Sequence, residues 1–519
     1  MSRIKLWIIL SLFSLSALFI GCSQFTIEKP DAEHCLAVER QPAIYPDYIS
    51  VTLPPNIAPI NFLVQESAEK YYVEISGEQG ALIQIGGKDA TINIPLKPWR
   101  KLLDANKGKT ISITVYIKNS ENNWSRFESI TNQIAEDAID SHLVYRLMKP
   151  VYQYYNKLTL YERDLTDFDI RPIAYNKSTG NNCINCHSFH NYNPDRFIYH
   201  QRGGEVGTNM ILAYDGKVTK IDTKTSFNPA TAYRSWHPGG KFIAFAWIVV
   251  KQMFHSIGEN RDVYDRVSDL LLFDVENSTI TTSPKVSTTG YMETYPEWSP
   301  DGKYIYFCRA PELQVDDPHN HPYKKIKYDL MRIACDVEQN TWGEVEPVVI
   351  ASEIDSSVAH PKISPDGRYL LFCMTEFTNF PLYNTGSDLY LVDLETRKVW
   401  KPENINSDRA ESYHAWSSNG HWVVFSSKRD DNLCTHFYFS YFDGNGHFSK
   451  PFILPRKDPE IYQSQFEVYN VAEFIKGPIQ VSPRELIRAT WSENLVKTKL
   501  APEVTKKKDA AADVPMYQN

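Results

Sequence analysis

Four stretches decide the fold: RSWHPGGKFIAFA (residues 234–246), PEWSPDGKYIYFC (296–308), PKISPDGRYLLFC (361–373) and HAWSSNGHWVVFS (414–426). Each carries an apolar knob at the end of a short strand, a tight turn of the Asp-Gly or Gly-Gly kind, and a second strand of aromatic and aliphatic residues. Such a turn closes a hairpin. Aligned on Trp236, Trp298, Ile363 and Trp416, the copies stand 62, 65 and 53 residues apart. That is long enough for four strands and a variable loop. A third candidate strand follows each hairpin (DLLLFDV, DLMRIACDV, DLYLVDL, FYFSYFD), then a more polar edge strand such as RKVWKP. Four strands per repeat predict a β-propeller in a mainly β chain.

The consensus around Trp-Ser-Pro-Asp-Gly resembles the TolB-like propeller repeats. The match covers residues 229–454, with a less regular copy in 197–228. It implies six blades over 197–480, the sixth drawn from 455–480 or from elsewhere in the chain. Upstream, residues 46–133 alternate with period two between turn residues, and Ile111, Ile113, Val115 and Ile117 share a face. This predicts a small β-sandwich of immunoglobulin or fibronectin size after a linker over 22–45. Residues 134–196 lose the alternation and read as a helical segment around HLVYRLMKP and LYERDL. Residues 481–519 read as a helix and a disordered tail.

Residues 181–190, NNCINCHSFH, hold Cys183, Cys186 and His187 in the C-x-x-C-H spacing that attaches haem c. Two thiols three positions apart reach the two vinyl groups of one porphyrin, and the next histidine is carried beneath the iron. For the distal side the first choice is His200, 13 residues on, with enough chain to pass the porphyrin edge. His255, in the insertion KQMFHSIGENRDVYD, is second; His190, Met210, His142 and Met148 are further options. A disulfide between Cys183 and Cys186 is the bland alternative. A zinc site with His187 or His190 lacks a second pair of ligands. His237, His360 and His414 read as blade packing and capping, and His319 and His321 as a solvated loop. Cys308 and Cys373 hold matching strand positions and read as core thiols, while Cys35, Cys335 and Cys434 show no pairing.

Arg3 and Lys5, the apolar run Leu6–Ile20, and Gly21-Cys22 form a signal peptide over residues 1–21. LFIGC resembles the lipobox of bacterial lipoproteins. The resemblance implies a lipidated Cys22, which tethers the chain to a membrane through acyl chains. Ser23 after the cysteine favours the outer membrane of a Gram-negative bacterium, facing the periplasm or the surface. Haem of the c type is joined to its protein outside the cytoplasmic membrane, where the signal sequence would send this chain. With 63 acidic against 55 basic residues and a net charge of -8, nucleic acid is excluded as an expected partner. No G-x-S-x-G, H-E-x-x-H or P-loop string is present. The chain is similar to bacterial lipoproteins that combine these parts. The expected function is single-electron transfer through one haem, with the propeller docking a redox or cell-envelope protein. The alternatives are an envelope propeller that binds protein or glycan, with the haem as staple or sensor, and a haem enzyme such as a peroxidase.

Overall fold

The computed structural model describes residues 28–149, 158–253, 262–314, 320–504 and 517–518. The signal segment, Cys22, His255 and His319 lie outside them. In the repeats each turn is built as its sequence requires. Ser299 Oγ donates to Asp301 Oδ1 (2.6 Å) and accepts from the Tyr304 amide (3.0 Å), and Gly302 takes the left-handed conformation at φ 72°. Ser417, Asn419, Trp422 and Gly420 repeat the arrangement.

The hairpins grow into antiparallel sheets of four strands. Sheet II holds Cys183–Phe189, Arg196–Arg202, Asn209–Tyr214 and Lys217–Asp222. Sheet III holds Ala232–Trp236, Phe242–Met253, Asp262–Asp274 and Thr279–Thr281. Sheet IV runs from Tyr291–Trp298 to Thr341–Val349, sheet V from Ser357–Ile363 to Val399–Trp400, and sheet VI from Glu411–Trp416 to Phe452–Ile453. Sheet I joins distant parts of the chain. Its inner strand, Val468–Ile475, pairs with His142–Met148, followed by Leu158–Asp164 and Ile170–Tyr175. The inner strands touch in the order II, III, IV, V, VI, I and back to II. This is a β-propeller.

Two of the three repeated tryptophans clasp the preceding sheet, while Trp298 Nε1 is buried without a hydrogen-bond partner. Trp236 Nε1 donates to the Ser188 carbonyl (3.3 Å) and Trp416 Nε1 to the Lys362 carbonyl (3.0 Å). Each of these two indoles thus buries a large apolar body and satisfies its one donor.

The helical reading of 134–196 is corrected: His142–Met148, Leu158–Asp164 and Ile170–Tyr175 are strands, and the cysteine motif is itself a strand. Leu, Arg, Met and Glu favour helix only weakly, and ladder pairing to residues more than 300 positions away overrides that preference. The motif therefore lies within the propeller, which starts at His142 rather than at 197. Residues 455–480 supply one strand, not a whole sheet. After the helix Pro483–Thr490, capped by Ser482 and Glu485, Leu495–Lys497 and Lys499–Leu500 add parallel edge strands to sheets II and III. Those residues of the expected tail are ordered into the fold; residues 505–516 lie outside the described set.

Ahead of the propeller, a seven-stranded sheet and the three-stranded sheet Ile44–Tyr45, Phe62–Val64 and Thr91–Ile92 share one core. Ile111, Ile113 and Val115 are buried in it. The helix Leu96–Ala105 was not foreseen; it turns Trp99, Leu102 and Leu103 inward at helical spacing. The core continues into the propeller, and Trp422 Nε1 donates to the Asp137 carbonyl (3.0 Å).

One buried acid sets a pH dependence. Asp265 in sheet III accepts from Asn379 Nδ2 (2.6 Å), yet burial pushes its carboxyl from the ordinary 3.8 up to about 7. The folded chain holds this proton more tightly than the unfolded one. The contribution is therefore complete below about pH 4 and lost as pH rises through about 7. Asp265→Asn should raise the urea midpoint more at pH 8 than at pH 5. Equal changes at both pH values would refute a protonated native carboxyl.

Candidate functional site

The inner strands meet around a cavity of about 510 Å³, within the range of small-molecule and cofactor sites. Each inner strand carries a bulge in its ladder, or meets one in its neighbour. In sheets III, IV, V, VI and I a left-handed residue sits three positions before the strand's terminal knob. These are Tyr233, Tyr295, His360, Tyr413 and Val471, at φ between 21° and 51°. Non-glycine residues avoid this region, and a bulge re-aims the side chain that adopts it. All five line the cavity. Four of them form an arc of rings: Tyr233–Tyr295 at 4.0 Å between centroids, Tyr295–His360 at 4.4 Å and His360–Tyr413 at 4.5 Å. In sheet II the knob is Phe189, and the position three before it is Cys186.

The C-x-x-C-H motif is thus the inner strand of sheet II. A regular strand would send residues 183 and 186 to opposite faces, and the register shift between Asn185 and Ser188 breaks that alternation. Cys183 is buried and lines the cavity. The side chain of Cys186 lies outside the described set.

His187 is 1% exposed, and neither ring nitrogen makes a well-formed hydrogen bond. The backbone of Val144 and of Val471 stands in loose hydrogen-bonding reach of the ring, and the Phe189 ring lies 6.2 Å away; unlike Cys183, His187 is not among the residues that line the cavity. Burial, then Arg234 and Arg146, hold it neutral, well below the ordinary imidazole range. A neutral imidazole is the form that ligates metal.

His200 is placed elsewhere. Its Nε2 pairs with Thr231 Oγ1 (2.7 Å) and its ring packs on Phe245 of sheet III. Phe189 and Phe197, opposite each other in the ladder, face the core shared with sheet I. His200, three residues beyond Phe197, falls on the other face. The structure does not bring His187 and His200 to one iron.

Other candidates divide plainly. His190 Nε2 donates to the Pro238 carbonyl (2.9 Å), His142 pairs with Ser141 Oγ (2.9 Å), and Met210 is buried between sheets II and III. Met148 lines the cavity, with Asn470 Nδ2 at 3.6 Å from its sulfur. His237 accepts from the Gly239 amide (3.1 Å), and His414 donates to the Leu371 carbonyl (2.8 Å), both in packing roles. His321 Nδ1 meets the Tyr323 hydroxyl (2.5 Å). Cys308, Cys335, Cys373 and Cys434 are buried. Among the described residues no group of three His, Cys, Asp or Glu is arranged to hold a metal ion. No described helix is long and apolar enough to cross a membrane.

The wall is charged. Arg146, Lys149, Arg234 and Lys362 face it against two carboxylates, Glu297 and Glu473. Lys362 pairs with Glu297 (2.7 Å), and Arg234 with Glu473 (3.2 Å), which also accepts from the Phe189 amide (2.9 Å). Burial raises the Glu473 carboxyl, with Arg234 and Lys362 opposing. Arg146 donates to neutral amide oxygens of Asn470 (2.8 Å) and Asn185. The cavity therefore suits a ligand with an aromatic body and a negative edge.

A haem of the c type asks for two thiols from one segment, a neutral imidazole and a walled space. Cys183 and the cavity are compatible with it, and His187 is neutral but buried one step behind the wall. Sequence reasoning missed the channel arc, including His360. Its signal was the shared place, three before the knob, of Tyr233, Tyr295, His360 and Tyr413.

No family model and no curated protein matches the chain. Solved structures similar to it include Kuenenia stuttgartiensis hydrazine synthase, at 12% identity over 51% of this chain and 64% of that one, TM-score 0.31. The β-propeller domain of the Pyrococcus furiosus trilobed protease matches at 14% identity, 75% and 99% coverage and TM-score 0.32. An oligogalacturonate lyase in complex with manganese matches at 10%, 73% and 98%, with TM-score 0.31. The fold rests on the sheet order rather than on these likenesses.

Proposed function

We propose that the chain is a lipid-anchored c-type cytochrome. One haem is joined to Cys183 and Cys186 with His187 on the iron, and a six-bladed, TolB-like propeller, preceded by an immunoglobulin-like sandwich, docks a redox or cell-envelope partner. One observation supports the reading: the first cysteine of the motif lines a ligand-sized cavity, and the histidine of the same strand is buried with neither nitrogen in a well-formed hydrogen bond. A buried polar group without a good partner costs about 1–3 kcal/mol, a cost that a bound ligand would offset.

Haem c supplies one-electron exchange between ferric and ferrous iron. The chain does the rest. The two thiols fix the group to one strand, and His187 offers a neutral nitrogen. Arg146 offers charge to an anionic edge, and the ring of sheets limits water. Cys22 provides the anchor at the outer membrane, and the acidic surface steers toward basic partners.

The test is a pyridine haemochrome assay with oxidised and reduced spectra. It uses protein exported in a host with haem c maturation, beside a Cys183→Ser, Cys186→Ser control. A covalent haem signal lost in the control is expected. A colourless protein from a competent host would overturn the reading and favour an envelope propeller whose charged cavity binds another ligand.

A further inference from the structure

We infer that His360 supplies an axial ligand to the iron from the cavity wall, in place of the His200 of the sequence reading; the inference rests on the proposed haem attachment. In the ring of inner strands, sheet V lies three places from sheet II by either route, directly across the channel. At the left-handed position that faces the cavity, sheets III, IV and VI carry tyrosine and sheet I valine. Sheet V carries histidine. Its equivalent in sheet II is Cys186, so the strand that would tether the haem and the strand bearing the imidazole face each other.

His360 is 7% exposed and lines the cavity, and neither of its ring nitrogens has a hydrogen-bond partner. Among the described histidines only His360 both lines the cavity and is buried with neither nitrogen hydrogen-bonded. His190, His200 and His414 all engage chain oxygens. Tyr295 and Tyr413 flank the His360 ring at 4.4 and 4.5 Å and fix its plane. A hydrogen-bonding role would have left a partner in view, and a packing role is filled at the same position by tyrosine. A fixed, neutral imidazole aimed into a cofactor-sized space is what an axial ligand requires.

Full-length holoprotein should be low-spin in the ferric state. His360→Phe keeps an aromatic ring between Tyr295 and Tyr413 and removes only the donor. It should retain covalent haem by pyridine haemochrome, become high-spin, and return to low-spin on adding imidazole. His360→Met serves if the first variant fails to fold; it should stay low-spin with a midpoint potential shifted upward, as methionine ligation raises potential. A high-spin wild type, an unaltered low-spin spectrum in His360→Phe, or an unmoved potential in His360→Met would overturn the assignment while the haem reading stood. Wild type without covalent haem would overturn both.

Discussion

A chain ending at Glu467 should yield no cooperatively folded propeller. The missing strand, Val468–Ile475, is the inner member of sheet I, and it is also the contact that joins sheet VI to sheet I and sheet I to sheet II. It buries Val468, Phe474 and Ile475. At about 1.5–3 kcal/mol per fully buried side chain, these three contribute on the order of 5–9 kcal/mol. The whole stability of a typical domain is about 5–15 kcal/mol. The ladder to His142–Met148 and the bond from Ser426 Oγ to the Tyr469 carbonyl (2.9 Å) are lost as well. A chain ending at Val481 is the control. It keeps the strand, loses the C-terminal helix with its buried Leu486, and should unfold cooperatively at a lower urea midpoint. Far-UV circular dichroism during urea unfolding distinguishes them. A sigmoidal transition of undiminished midpoint in the Glu467 chain would show that closure does not support the fold.

His187→Leu should move the two forms of the protein in opposite directions. In haem-free protein the substitution removes two buried nitrogens that lack well-formed hydrogen bonds and puts apolar atoms in their place. A gain of about 1–3 kcal/mol follows, seen as a higher urea midpoint with unchanged slope. In haem-loaded protein the same change removes the proximal donor, and the low-spin spectrum should vanish although the thioether bonds remain. Destabilisation of the haem-free form would mean that the imidazole has a structural partner, and the case for a ligand there would fall. A site residue whose removal stabilises the empty protein has been kept for something other than folding.

The hairpins were legible because their signals are local. A Ser-Pro-Asp-Gly turn fixes its own geometry within a few residues, and the knob at Trp298 or Trp416 lies next to it. Sheet I was not legible, since His142–Met148 is a strand only because Val468–Ile475 arrives from the far end of the chain. The motif strand was hidden for a different reason. Phe189 pairs with Phe197, eight positions on, where Trp298 pairs with Ile305, seven on, and Asn193-Pro194-Asp195-Arg196 lacks the turn glycine. CINCHSF was therefore read as an insertion before the propeller, although it occupies an inner-strand place. His200 was misassigned by treating residues 188–199 as free chain. They form a hairpin, and the two-residue alternation of a strand sends position 200 away from position 197. His360 reads as packing because it lies beside the first strand of its repeat; only the missing partners of its ring nitrogens reveal the difference.

The joining of sheet I from both ends of the chain also imposes an order in time. Synthesis delivers residues 183–187 long before residues 468–475, so the motif strand waits with one flank uncovered until nearly the whole chain has emerged. In that interval its thiols face solvent, open to an attachment enzyme and to oxidants alike. Once the last strand docks, Cys183 is walled in and the opportunity ends. Slowing the late strand, for instance with a linker inserted before it, would lengthen the interval and, if the proposed haem is attached there, should raise the fraction of molecules that carry it.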